Sequence, residues 1–283
     1  MNNSDRKFGV FILSNHRAGN IPTIKALRSH GYTGEIYIII DDMDDTQEEY
    51  KKLYKNVIVF DKREAYERTD TMDNTKDMRC VVFARNTCHK IAKEIGLTHF
   101  LVLDDDYREF NYRCKINGKL KGWNVKQLDK AIEYTLDYLD EINAHSIAWA
   151  QTGDLIGGAD GMISKPYRRK VMNSFFCRTD KPFYFNGSIN EDTNAYTLLG
   201  SRGYLFLTVT DIVITQTPTQ KNDGGLTDIY LDKGTYVKSF YTVMGMPSAA
   251  TVALMGNKHK RPHHKVNWNK CVPKIIKDNY KRM

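Results

Sequence analysis

Short apolar runs alternate with amphipathic stretches along most of the chain. Residues 8–13, 35–40 and 56–60 are nearly continuous in aliphatic and aromatic side chains, the pattern of strands buried on both faces. Between them, 22–30 and 47–54 fit helices, the first with Pro22 in its opening turn and Gly31 just past its end. Apolar residues recur at helical spacing over 77–95 (Met78, Val81, Val82, Cys88, Ile91, Ala92, Ile95) and Gly96 stops that helix. The next run, 100–107, is an apolar strand that ends in Asp104, Asp105 and Asp106. A helix over 123–143 and a strand over 145–150 follow. Residues 153–161 hold four glycines and two aspartates, which suggests a loop where backbone approaches a ligand. Strands at 173–177, 182–185, 204–209 and 212–214 surround a helix over 193–200. Strand–helix alternation with continuous apolar strands predicts an α/β fold, a mostly parallel sheet flanked by helices.

In such sheets ligands collect beyond the carboxyl ends of the strands, where 14–17, 41–45 and 104–106 would meet. Three adjacent carboxylates repel one another, and a hard divalent cation, manganese or magnesium, would relieve that repulsion. Alternation in extended chain puts Asp104 and Asp106 on one face and turns Asp105 away. Asp41 or Asp42 is placed to accept hydrogen bonds from a base or ribose, with the other acids of that run solvated. Arg79 and Arg85, six residues apart on the preceding helix, have the fork that matches diphosphate oxygens. Glu191-Asp192 opens a helix, either complementing its dipole or taking a proton from an attacking hydroxyl. His263 and His264 are either polar surface or metal ligands.

Composition narrows the classes. No apolar run approaches eighteen residues and no charged-then-apolar leader opens the chain, so the expectation is a cytoplasmic protein with no membrane span. The five cysteines are odd in number and lack C-x-x-C spacing, as in reduced thiols rather than disulfides or a zinc site. Neither G-x-G-x-x-G nor a P-loop is present. Residues 256–283 hold nine Lys or Arg against one acid, Asp278, and so account for the whole formal charge of +8. The expected division is therefore a catalytic domain over 1–255 and a basic C-terminal extension over 256–283, packing on or near the active site. That extension either solubilises the protein or follows a phosphate backbone.

The ordered set of strand, polar loop 14–20, acidic strand end at 41, helix with Ala84-Arg85-Asn86, Leu103-Asp-Asp-Asp106 and Asn190-Glu-Asp192 resembles a GT-A nucleotide-sugar glycosyltransferase over roughly residues 8 to 215. Within that class it is most similar to the phage DNA-base, or TET-associated, glycosyltransferases. The resemblance implies a metal-dependent hexosyl- or pentosyltransferase using a UDP-sugar donor and a hydroxymethylated pyrimidine of DNA as acceptor. It implies that Ser14, Asn15, Arg17 and Asp41 or Asp42 hold the uridine, with Asp105 beside them, and that Arg79 and Arg85 face the diphosphate. Asp104 and Asp106 would bind the metal with His263 or His264 completing the set, and Asp192 beside Glu191 would be the base of an inverting reaction. Three other readings stay open: a glycan or protein acceptor, a two-metal nuclease or nucleotidyltransferase built on Asp104, Asp106 and Glu191, and a non-catalytic nucleic-acid-binding module.

Overall fold

A computed structural model describes residues 5–161, 170–216, 229, 232, 234, 236–255 and 260–273. The first half alternates as expected: β1 (Phe8–Leu13), α1 (Pro22–Ser29), β2 (Ile36–Asp41), α2 (Gln47–Leu53), β3 (Val57–Phe60), α3 (Lys62–Glu67), α4 (Val82–Glu94) and β4 (His99–Asp104). There follow β5 (Tyr107–Ile116), β6 (Lys119–Asn124), α5 (Leu128–Glu141), β7 (Ser146–Gln151), β8 (Ser174–Arg178), α6 (Glu191–Ser201) and β9 (Phe206–Gln216). Then come α7 (Val237–Gly245), β10 (Ala250–Met255) and β11 (Arg261–Val266). Nine strands form one sheet in the order β3-β2-β1-β4-β8-β7-β9-β5-β6. The half from β3 to β4 is parallel, while β8 runs antiparallel to both β4 and β7. No helix among the described residues is long and apolar enough to cross a membrane.

Period-two alternation divides the buried strands between two cores. Phe11, Ile39, Phe100, Val102 and Phe175 pack under α4 and α6. Val10, Ile12, Ile38, Ile40, Leu101, Leu103 and Trp149 pack under α1 and α5. Both faces being covered explains why these strands read as unbroken apolar runs. Parallel register then places Leu13 beside Asp104, and Asp41 beside Phe60. The carboxyl ends of β1, β2 and β4 thus line one edge of the sheet.

Several boundaries differ from expectation for local reasons. The helix predicted from 77 begins at Val82, because the Asp77 carboxylate takes both the Arg79 N–H and its guanidinium in the extended lead-in. The predicted strand at 182–185 is irregular chain outside the sheet. Pro182 has no N–H to give, and the Phe185 N–H goes to the Asn86 side chain at 2.7 Å. The helix predicted from 123 starts at Leu128, since Trp123 and Asn124 belong to β6 and pair with Tyr112 and Asn111. The hairpin β5–β6 escaped the periodicity reading, although Asn117-Gly118 carries its signal. Both residues have positive φ, 49° and 75°, as a two-residue hairpin turn demands. Helix α3 was likewise signalled by Asp61, whose side chain caps it by accepting the Glu64 N–H at 2.7 Å.

The described part of the basic C-terminal segment is docked rather than free. β11 pairs with β10 from Ala250–Val266 to Met255–Arg261, so the division expected at residue 255 falls between two paired strands. Ser239 on α7 donates to the Pro262 carbonyl at 3.0 Å. Trp268 stacks on Tyr196 of α6 with ring centroids 5.4 Å apart, and the Cys271 carbonyl lies 2.9 Å from where a Cβ on Gly200 would stand. Lys258, Lys274, Lys277, Asp278, Lys281 and Arg282 lie outside the described residues. Trp268→Ala is expected to destabilise the protein by about 1–2 kcal/mol, the scale of a partly buried aromatic contact. Chemical denaturation measures this, and an unchanged midpoint would mean that the segment is a solvated tail.

Candidate active site

The loop after β1 is built by buried polar contacts. The Ser14 hydroxyl donates to Asp105 Oδ2 at 2.8 Å and shares a 2.8 Å hydrogen bond with the Tyr50 hydroxyl, which also accepts the Arg17 N–H at 2.9 Å. The Arg17 guanidinium donates to Asp105 Oδ1 at 2.8 Å. Asp105 is therefore the carboxylate that fastens the loop to the end of β4. Asp105 lies in the turn just past the last residue of β4, beyond the extended alternation expected there, and faces Ser14 and Arg17. Thr23 closes the same corner. Its hydroxyl donates to the Asp104 carbonyl at 2.7 Å and accepts the Tyr107 N–H at 2.8 Å.

The end of β2 is organised in the same way. Asp41 is buried and accepts from the Asn15 amide and from Lys62 Nζ, each at 3.0 Å. Asp42 lies on the surface and accepts the Lys62 N–H at 2.9 Å. Asp44, expected to be solvated, is only 1% exposed. It takes the His16 N–H at 2.8 Å and caps its own turn through Thr46. His16, at φ 52°, stands in the left-handed region beside it. Ser14, Asn15, Arg17, Asp41, Asp42 and Asp105 accordingly come together around one corner of the sheet. Thr23, Tyr50 and Lys62 belong with them and carried no local signal in the sequence.

Arg85 lies at the centre of the acidic edge. Its guanidinium is 4% exposed, rests over the Phe175 ring at 4.9 Å, and pairs with Glu191 on one side and with Asp104 Oδ1 at 3.2 Å on the other. Its charge is thus divided between two carboxylates, instead of facing outward for a diphosphate as expected. Asn86 holds the supporting loop by accepting the Phe185 N–H at 2.7 Å and donating to the Phe185 carbonyl at 3.0 Å. Arg79 is elsewhere. It stands before α4 on the surface, paired with Asp77 at 2.9 Å and Asp232 at 2.7 Å.

Glu191 and Asp192 form the first turn of α6, entered through Asn190 at φ 56°. Both are buried. Asp192 Oδ1 accepts the Thr193 N–H at 2.6 Å and the Thr193 hydroxyl at 3.3 Å. Burial pushes the Glu191 carboxyl up to about 7 against the pull of Arg85, and raises Asp192 for the same reason. Asp106 is pushed up to about 7 as well, by desolvation first and then by the charges of Asp104 and Asp105.

The histidines reach the site indirectly. His264 Nδ1 is hydrogen-bonded to the Asn190 side chain at 3.2 Å, and the His263 and His264 rings stack at 4.3 Å. Burial and neighbouring cations lower both, His264 to about 4, so both are neutral imidazoles at pH 7. The chain of contacts His264–Asn190–Glu191–Arg85–Asp104 links β11 to the end of β4. The predicted ligand set is not assembled, however. Among the described residues, the one group of three candidate ligands with atoms within 4.8 Å of one another is His16, Asp44 and Asp45. Asp104 and Asp106 do not gather a histidine at that range, because His264 is held beside Asn190.

Strand order, acidic strand end and carboxylate-opened helix bring these side chains to one edge of the sheet. The chain belongs to the TET-associated glycosyltransferase family, whose model matches residues 8–225. Among solved structures it is similar in fold to glucosyl-3-phosphoglycerate synthase from Mycobacterium tuberculosis, determined with Mn2+, UDP and phosphoglyceric acid, at 9% identity and a TM-score of 0.45, covering 93% of this chain and 88% of that one. It is also similar to S. aureus TarS determined with UDP, at 15% identity and a TM-score of 0.42, covering 85% of this chain and 65% of that one. No curated protein matches the sequence.

Two outcomes follow from this geometry. Arg85→Met leaves Glu191 and Asp104 without their cation and is expected to cost about 3–5 kcal/mol, the range for breaking a buried ion pair. A loss below about 1 kcal/mol in denaturant unfolding would contradict the bridge. The Asp106 carboxyl sits at about 7 in the folded protein against 3.8 for the free side chain. Between those values the folded state holds a proton that the unfolded chain releases, so this group's contribution to stability falls as pH rises through the window. Asp106→Asn should therefore raise the melting temperature of the metal-free protein at pH 8 more than at pH 4. An equal shift at both pH values would refute the raised carboxyl.

Proposed function

We propose that the protein transfers a sugar from a UDP-sugar to the hydroxyl of a hydroxymethylated pyrimidine in DNA. The observation that carries this reading is the convergence, in a chain of the TET-associated family, of the Ser14–Asp105 corner, Asp104 and Asp106, and the Glu191-Asp192 turn through Arg85. Asn15 and Asp41 would read the uridine, with Lys62 orienting the Asp41 carboxylate.

Asp104 and Asp106 fit a divalent cation, manganese or magnesium. They are hard oxygen donors, and burial first, then the charges of Asp104 and Asp105, raise the Asp106 carboxyl, a cost that a bound cation would relieve. Bound there, the ion would supply Lewis-acid neutralisation of the departing diphosphate. Arg85 keeps Asp104 fixed from behind and prevents Glu191 from repelling it, which makes Arg85 a positioning residue. Asp192, with Oδ1 held by Thr193, turns its second oxygen to the acceptor hydroxyl and accepts that proton as the hydroxyl oxygen attacks the sugar carbon. In this reading the reaction inverts configuration. The His263–His264 pair lies beside Asn190 and shapes the acceptor side of the site. A base in duplex DNA presents its hydroxymethyl group in the major groove or is flipped into the site.

The test incubates the protein with Mn2+, a panel of UDP-sugars and hydroxymethylcytosine or hydroxymethyluracil DNA, followed by mass spectrometry of the nucleosides. A hexose or pentose added to a modified base is expected. Asp104→Asn and Asp106→Asn should each lower turnover by at least about a hundredfold, the order lost with a single charge-stabilising group, and should abolish the melting-temperature rise caused by Mn2+. Hydrolysis of the donor with no sugar on any DNA base would redirect the acceptor to a glycan or protein.

A further inference from the structure

The β5–β6 hairpin carries a second basic surface, hidden in the overall balance because residues 1–255 are formally neutral. Residues 107–126 contain Arg108, Arg113, Lys115, Lys119, Lys121 and Lys126 against a single acid, Glu109. Strand pairing sorts these charges onto two faces. Tyr112 lies opposite Trp123, Cys114 opposite Lys121 and Ile116 opposite Lys119, so Tyr112, Trp123, Lys121 and Lys119 share one face. Arg113 and Lys115 share the other, where Lys115 Nζ is bound to Asp160 at 2.6 Å.

The first face is open to a ligand. Trp123 is 48% exposed and its ring stands 6.2 Å from that of Tyr112. Lys119 and Lys121 are exposed, and no carboxylate among the described residues pairs with either. β6 is also the last strand of the sheet. A packed core does not account for a tryptophan and two lysines in a row on an outer strand. A polyanion with stackable bases does.

We propose that this face of the β5–β6 hairpin is a DNA-docking surface that leads the acceptor strand to the active site, a proposal that rests on the DNA-acceptor reading above. Tyr107, the first residue of β5, directly follows Asp106, so one rigid ribbon joins the catalytic edge to the basic tip. Ten residues of extended chain reach roughly 30 Å, close to one turn of duplex. Lys119 and Lys121 neutralise phosphates while Trp123, beside the half-buried Tyr112, offers its ring to the sugar–base edge. The grip on DNA is then shared between this hairpin and the C-terminal segment.

The experiment compares wild type, Lys119→Gln/Lys121→Gln, Trp123→Ala, and a charge-loss control, Lys52→Gln/Lys93→Gln, on the opposite half of the sheet. KM is measured separately for modified DNA and for the UDP-sugar, and DNA affinity is followed against salt. The lysine variant should raise KM for DNA about tenfold, leave the donor KM unchanged and reduce the salt slope by about 1.8, from two lost phosphate contacts. Trp123→Ala should weaken DNA binding with the slope unchanged, and the control should match wild type. If wild type modifies DNA while the lysine variant keeps its salt slope and KM, or the control falls equally, the docking surface is refuted and the proposed function stands. If wild type neither binds nor modifies DNA but hydrolyses the donor, the acceptor reading itself has failed and this surface with it.

Discussion

One buried guanidinium sets the terms for the acidic edge of this protein. Arg85 joins Asp104 at the end of β4 to Glu191 at the start of α6, two elements 87 residues apart in sequence that no strand pairing connects. Removing a charge from water is costly, and Arg85 is tolerated because two carboxylates and the faces of Phe175 and Phe185 surround it. A protein that only needed stability would do better with apolar residues here. Asp104, Glu191 and Asp192 are instead kept charged-side inward around one guanidinium.

The rest of the site follows the same plan, with acids acting as fasteners as often as reagents. Asp105 holds Ser14 and Arg17, Asp41 holds Asn15 and Lys62, and Asp44 holds the His16 amide. All but the Asp41–Lys62 bond tie the loop after β1 to the end of a neighbouring parallel strand. The sheet supplies the frame: β1, β2 and β4 run the same way, so their ends and loops must crowd together. The docked C-terminal hairpin brings His264 to Asn190, next to the turn that presents Glu191 and Asp192.

Much of the sheet was legible because a buried parallel strand cannot disguise its composition. Residues 8–13, 35–40 and the start of 100–107 read as strands because helices cover both faces, and the cores under α4 and α5 recur at helical spacing. The errors arose where a side chain, rather than periodicity, settled the backbone. Asp77 delayed the start of α4, Asn86 kept 182–185 out of the sheet, and Asn117-Gly118 folded a hairpin whose far strand imitated the start of a helix.

By itself the sequence determined the α/β alternation and the acidic edge at Asp41 and Asp104–Asp106, because these depend on local period and on chain direction. Only the tertiary structure decided which partner each charge has. It placed Arg85 between Asp104 and Glu191, sent Arg79 to the surface, buried Asp44, and seated the histidines beside Asn190 instead of with the aspartates. Charge pairing is set by distances of a few ångströms between residues far apart in the chain, and burial multiplies its strength. Neither quantity is written in a one-dimensional pattern.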